Sequence, residues 1–129
     1  MRLLSAIAAS ALLMFAPTAA KALETAVIDY CVDGDTCRTT AGERIRLACI
    51  DTPELKGSRA ETVAARAAHD HLRWLVEGRE VGIRRITTDR YGRTVAELFV
   101  DGMNVQQRLV RDGHAEIYWR FAGQCPWTR

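Results

Sequence analysis

Between residues 26 and 50 the chain holds three short extended runs separated by two turn signals, and this pattern limits the fold more than any other feature. Residues 26–30 are rich in strand-forming side chains, Asp33-Gly34-Asp35 is a turn, residues 36–40 continue extended, and Ala41-Gly42-Glu43 turns again. Over residues 44–50 polar and apolar residues alternate, with Ile45, Leu47 and Cys49 predicted on one face. Connections this short join neighbouring antiparallel strands, so the segment reads as a meander. Pro53 then stops strand pairing, because it has no N–H to give a ladder.

The rest of the chain continues the pattern. Ser58 with Glu61 three residues on has the form of a capping box that opens a helix. Val63, Ala67, Leu72, Leu75 and Val76 recur at helical spacing, and Gly78 closes the helix. Residues 81–86 and 94–100 read as two further strands, joined by the polar segment 87–93. Asp101-Gly102 turns the chain, and Asn104, with Gln107 three residues later, caps a second helix that ends at Gly113. Residues 117–121 are predicted extended and aromatic, and the tail from Gly123 is predicted as loop. The order of three strands, a helix, two strands and a helix predicts a mainly β, α+β domain. Its architecture is that of a five-stranded Greek-key OB-fold barrel with two helices. Such barrels bind nucleic acid in many proteins, but the fold alone fixes no function.

The first residues read as a separate segment. Arg2, an apolar run over residues 3–15, Pro17 and the small residues of Ala20-Lys21-Ala22 form the pattern of a signal peptide cut after Ala22. Residues 1–22 are the expected leader and residues 23–129 the folded domain. The apolar run is too short to cross a bilayer, and no later segment is apolar enough to anchor the chain. The expected product is an unanchored monomer exported to the periplasm or the medium. Removing Arg2 and Lys21 from the 18 cations leaves 16 against the 16 acids, so the domain is formally neutral and composition does not mark it as a polyanion binder. Basic surface would matter only if a metal neutralised some of the acids.

All four cysteines, Cys31, Cys37, Cys49 and Cys125, lie beyond the expected leader. An even count in a small exported domain predicts disulfides, and the Cys-x-x-Cys spacing of a zinc site is missing. Four cysteines allow three pairings, and their order does not choose among them. If Gly34 marks a tight hairpin, Cys31 and Cys37, symmetric about it, face each other and leave Cys49 to Cys125.

Taken alone, Asp33-Gly34-Asp35 is a turn and Asp51-Thr52-Pro53-Glu54 a loop signal. Together they sit at strand ends of one meander, where the end of the first strand and the end of the third share a sheet edge. Asp35 and Asp51 can therefore converge with Glu54 nearby, offering the hard oxygen donors that calcium takes. Arg46 lies five residues before Asp51, and Arg93 ends Asp89-Arg90-Tyr91-Gly92-Arg93. Each arginine alone is an ordinary surface charge; beside a metal and a carboxylate, two guanidinium forks can clamp a phosphate. His69 and His71, two apart on a helix, face different sides and read as solvated residues rather than a metal pair.

These segments resemble the staphylococcal nuclease, or thermonuclease, family. The matching motifs are Val32-Asp33-Gly34-Asp35-Thr36, the run from Arg46 through Asp51-Thr52-Pro53-Glu54, and Asp89-Arg90-Tyr91-Gly92-Arg93, extended by Leu109-Val110-Arg111-Asp112-Gly113. The resemblance implies calcium-assisted hydrolysis of DNA and RNA that leaves 3′-phosphate ends. It assigns Asp35, Asp51 and the Thr52 carbonyl to the metal and Glu54 to the attacking water. Arg46 and Arg93 fall to the reacting phosphate and Tyr91 to a neighbouring one. Arg90 and Lys56 are further substrate-contact candidates. Trp119 and Phe121 stand where the family commonly has tyrosines. The alternative from another class is a barrel that binds nucleic acid without cutting it, for which loss of the acids or arginines would be expected.

Overall fold

The computed structural model describes residues 2–17, 22–57 and 61–129; residues 2–17 carry no helix or strand and are exposed. Ser58 of the expected capping box, and Ala20 and Lys21 of the expected cleavage segment, lie outside the described residues. The strands are β1 (Glu24–Cys31), β2 (Thr36–Thr39), β3 (Arg44–Leu47), β4 (Ile50–Asp51), β5 (Glu80–Thr88), β6 (Thr94–Val100), β7 (Met103–Asn104) and β8 (Glu116–Ile117). The helices are α1 (Thr62–Val76) and α2 (Val105–Arg111), followed by 3-10 turns at Trp119–Gln124 and Pro126–Thr128.

The predicted meander is present: β1 pairs antiparallel with β2, and β2 with β3. β1 also pairs with β5, and β5 with β6. The ring closes where β3 runs parallel to β6, with Ile45 opposite Thr94 and Leu47 opposite Ala96. This is the five-stranded OB-fold barrel with two main helices. Period-two alternation turns Ile45 and Leu47, Val81 and Ile83, and Ala96 and Leu98 inward, where all six are buried with Ile28. Leu72, Leu75 and Val76 of α1 and Val105 and Leu109 of α2 join the same core. Each large side chain fully buried there stabilises the fold by about 1.5–3 kcal/mol.

Several local expectations need correction. The buried face of α1 is Ala65, Ala68, Leu72, Leu75 and Val76, whereas Val63 is 86% exposed and Ala67 is exposed. The alanine-rich start of the helix has small apolar residues on both sides, so spacing alone did not fix its phase. The third strand does not run to residue 50. It breaks after Leu47, because Cys49 adopts a left-handed backbone (φ 66°) that an extended strand cannot contain. Residues 117–121 are not one extended run either: only Glu116–Ile117 pairs, with β4, and the chain then coils into the 3-10 turn. The tail is likewise not open loop, since Thr128 Oγ1 donates to the carbonyls of Ala122 and Cys125 at 2.9 and 2.8 Å.

The helix ends follow local chemistry. Asn104 caps α2 by accepting from the Gln107 N–H at 3.0 Å, and Gly78, at φ 75°, closes α1. Both histidines of α1 are half-buried and bonded rather than solvated. His69 Nε2 lies 2.6 Å from the Cys31 carbonyl and His71 Nε2 2.8 Å from Asp112 Oδ2, tying α1 to β1 and to the end of α2. The disulfides are Cys31–Cys37, across the β1–β2 turn, and Cys49–Cys125.

Candidate active site

The turn at residues 33–35 carries the first candidate ligand. Asp33 Oδ1 accepts from the Asp35 N–H at 3.0 Å, and the Leu47 N–H donates to the Asp35 carbonyl at 2.8 Å, so the turn is fastened to β3. Gly34 faces α1 closely: a Cβ there would lie 3.0 Å from Ala68 Cβ and 3.1 Å from Thr52 Oγ1. Its φ is not positive, so the requirement for glycine is steric alone. Gly34→Ala is expected to destabilise the domain by about 1–3 kcal/mol, read as a lower denaturant midpoint. An unchanged midpoint would mean that α1 gives way without cost.

Asp35 is only 8% exposed. Its Oδ1 accepts from Thr36 Oγ1 at 3.1 Å and its Oδ2 from Thr52 Oγ1 at 3.0 Å. Arg46 Nη2 stands 3.4 Å from Asp35 Oδ2 and 3.9 Å from Asp51 Oδ1, so one guanidinium lies between the two carboxylates. Arg46 is held there by donating to the carbonyls of Leu47 at 2.7 Å and Ile50 at 3.0 Å. Burial pushes the Asp35 carboxyl above the usual carboxylate range, against the pull of Arg46 and helped by the nearby charge of Asp33. Asp51 is exposed and takes the Thr52 N–H on Oδ1 at 3.1 Å.

Thus Asp35, Asp51, Thr52 and Arg46 come together at one barrel edge. The donor set is all hard oxygen, and among the described residues no hydrogen bond reaches the Thr52 carbonyl. A buried, desolvated carboxylate beside an exposed one and a free carbonyl suits a hard divalent cation whose remaining positions are water. No group of three or more His, Cys, Asp or Glu side chains placed to hold a metal occurs among the described residues. Protein donors here therefore supply only part of a coordination shell. Glu54 stands apart: it is exposed, its carbonyl accepts from the Glu61 N–H at 3.0 Å, and its carboxylate is turned toward Gly57. Lys56 is exposed on the same loop.

The parallel closure pairs Arg46 with Val95, and Arg93, two residues before Val95, lines the same cleft as Arg46. One carboxylate builds its loop. Asp89 Oδ1 accepts the N–H groups of Tyr91 at 2.9 Å and Arg93 at 3.0 Å, and Oδ2 takes Arg93 Nε at 2.8 Å. Burial alone would push the Asp89 carboxyl up, but these donors together hold it below the usual range. Nε is thereby committed and the two terminal nitrogens of the fork are left for a ligand. Arg90 and Arg93 lie 4.9 and 5.3 Å from the centre of the Tyr91 ring, and Arg44 donates to the Tyr91 carbonyl.

A cleft of about 570 Å³ runs along this edge, floored by Leu47, Ala48, Cys49, Ile50 and Val95. Its charged lining is Arg46, Arg90, Arg93 and Arg120 against the single acid Asp89, so a formally neutral domain concentrates positive charge in one place. Of the two aromatic candidates, Phe121 lines the cleft, while Trp119 is 71% exposed and is not part of its lining. Tyr118 lines it instead, edge-on to Phe121 with ring centres 5.1 Å apart. In an extended chain residues 119 and 121 share a face; in a 3-10 turn residues three apart do. The aromatic run was legible, but which rings face the cleft depended on that phase. Arg120 and Asp89 are likewise functional candidates that motif spacing did not single out.

A model of the staphylococcal nuclease homologue family matches residues 44–126. An uncharacterized endonuclease of Escherichia coli O157:H7 is 37% identical over 94 residues, covering 70% of this chain and 58% of its own length. The staphylococcal-like nuclease CAN1 of Arabidopsis thaliana is 39% identical over 75 residues, 58% of this chain and 22% of that protein. The SPbeta prophage-derived endonuclease YokF of Bacillus subtilis is 33% identical over 107 residues, 75% of this chain and 35% of that protein. The chain therefore spans little more than half the length of the first of these relatives and smaller shares of the other two.

Proposed function

The chain belongs to the staphylococcal nuclease family, and from that premise we propose that it is an exported, calcium-dependent nuclease that hydrolyses phosphodiester bonds of DNA and RNA and leaves 3′-phosphate ends. The observation that carries this reading is the edge where Arg46 stands between Asp35 and Asp51 and opens into a cleft lined by four arginines. Asp35, Asp51 and the Thr52 carbonyl would hold the cation. The chemistry supplied by calcium when bound is neutralisation of phosphate charge and a lowered pKa for coordinated water.

The chain's own groups divide the remaining work. Arg46 and Arg93 grip the non-bridging oxygens of the reacting phosphate, countering charge that grows as the attacking oxygen bonds to phosphorus. Glu54 orients the attacking water and accepts its proton, a task suited to an exposed carboxylate that has no ion-pair partner among the described residues. Tyr91, braced by Arg90, meets a neighbouring phosphate, and Lys56 adds charge from the loop beyond Glu54. Tyr118 and Phe121 offer apolar ring faces to a nucleobase.

A leader over residues 1–22 and a monomeric domain over residues 23–129 belong to the same proposal. Two disulfides suit an oxidising compartment, and no helix among the described residues is long and apolar enough to cross a membrane. The direct test incubates oxidised domain with single-stranded DNA, with calcium or with a chelator. Cleavage with calcium that stops on chelation and returns on adding calcium back is the expected result. Tight binding with no cleavage in either condition would replace the nuclease by a non-catalytic nucleic-acid-binding barrel.

A further inference from the structure

Resting on the nuclease reading, we propose that Arg120 is a second phosphate subsite, carried on a cleft wall that the Cys49–Cys125 disulfide holds in place. The reacting phosphate occupies Arg46 and Arg93 on the β3–β6 side of the cleft. Arg120 belongs to the Trp119–Gln124 turn, a separate element that forms another wall of the same cleft. Among the described residues Arg120 has no acidic partner, and Asp89, the one acid in the lining, is committed to Arg93. The guanidinium of Arg120 lies 5.4 Å from the centre of the Phe121 ring. A cation held over an aromatic face, in a cleft lined by three other guanidiniums, is relieved of repulsion by an anion. A polynucleotide supplies one at every nucleotide, so a strand seated with one phosphate on Arg46 and Arg93 has another to offer Arg120.

The wall is not part of the main core. It rests on a small cluster of Ala48, Cys49 and Cys125, with Ile86, Val95 and Trp127 packed against it. Cys125 is fully buried and joins the end of the wall to Cys49, the left-handed residue that breaks β3 and lies in the cleft floor. Other ties are two hydrogen bonds to main-chain carbonyls: the Tyr118 N–H to the Cys49 carbonyl at 2.8 Å and Arg84 Nη2 to the Gln124 carbonyl at 2.9 Å. Cys49 Sγ also touches the Phe121 carbonyl at 3.3 Å, a contact only, because a disulfide sulfur carries no proton. The bridge crosses 76 residues of sequence, so opening it leaves the wall on its hydrogen bonds and on the β4–β8 pairing that precedes it, and loosens its hold on the cleft floor. Arg120 therefore sits on a wall whose one covalent tie to the cleft floor is this bond.

The test measures binding of a labelled single-stranded 12-mer DNA in chelator, where turnover is suppressed, over a salt series. R120A is expected to weaken binding about tenfold at low salt and to lower the slope of log K against log salt by about 0.7. R120K should restore most of that slope. C49A/C125A should reproduce the R120A effect while keeping a cooperative thermal transition, and adding R120A to it should change little more. An unchanged salt slope in R120A overturns the subsite, whether or not the cysteine variant folds. A folded C49A/C125A that binds like the parent overturns the anchoring. Oxidised parent protein that neither binds nor cuts DNA removes the nuclease reading itself, whereas parent activity with an unaltered R120A slope removes only the subsite.

Discussion

Arg93→Ala is expected to lower kcat by about 10²–10³-fold while leaving the domain folded. The activity loss follows from the fork of Arg93. Asp89 holds Nε, so the terminal nitrogens have a fixed direction and lose little freedom on meeting a phosphate. Removing them takes away charge that matters most when the phosphate gathers negative charge in the transition state. The fold should survive because Asp89 Oδ1 bonds the main-chain N–H groups of residues 91 and 93, which the substitution leaves in place. Asp89 and the residue 93 carbonyl also keep their backbone bond. Arg93→Lys retains a charge but loses the planar fork, so it should recover only part of the rate. Steady-state kinetics with a thermal melt on the same samples decide the matter; near-normal turnover in a folded Arg93→Ala protein would end its assignment to the phosphate.

The second large effect has opposite signs for activity and stability. Asp35→Asn should abolish at least 100-fold of the calcium-stimulated activity, yet without metal it should unfold at an equal or higher denaturant concentration. Burial raises the Asp35 carboxyl above its ordinary range, so its charge is carried in the fold at a net cost that Arg46 only partly offsets. Asparagine keeps the size; its amide oxygen can accept from one of the Thr36 and Thr52 hydroxyls while its NH2 donates to the hydroxyl oxygen of the other. Arg46 retains Asp51 and the carbonyls of Leu47 and Ile50. Replacing a strained buried charge by a neutral isostere is then expected to change stability by about 0 to +2 kcal/mol. Calcium should raise the melting temperature of the parent through linkage but leave Asp35→Asn unmoved. A variant that loses stability by more than about 2 kcal/mol without metal would show that the carboxylate is structural, not a reserved ligand position.

Much of the site could be read in advance because its parts are local. The turn at Asp33-Gly34-Asp35, the cap at Asn104 and the glycine at position 78 depend on the chemistry of a few consecutive residues. The alternation of Ile45 and Leu47 shows directly which side of a strand meets the core. Where side chains carried weak or even-handed signals, the reading slipped. Val63 and Ala67 were assigned to the buried face of α1 because its first turns are apolar on both sides. Trp119 and Phe121 enter through the resemblance alone, and the phase of the 3-10 turn puts Tyr118 and Phe121 on the cleft lining.

The sequence by itself determined the element order, the two turns, the Asn104 cap of α2, the Gly78 stop of α1 and which acids and arginines are candidates for a hard cation and a phosphate. Each of these rests on interactions within about one turn or one strand, where neighbours in sequence are neighbours in space. Only the tertiary structure decided that β3 closes on β6 in parallel, which puts Arg46 and Arg93 on one cleft, and that Cys49 turns left-handed to meet Cys125. It also decided that the last segment coils as a 3-10 turn, putting Tyr118, Arg120 and Phe121 on the cleft. Those outcomes come from barrel closure and from packing between segments far apart in the chain, and no local preference of the residues involved encodes them.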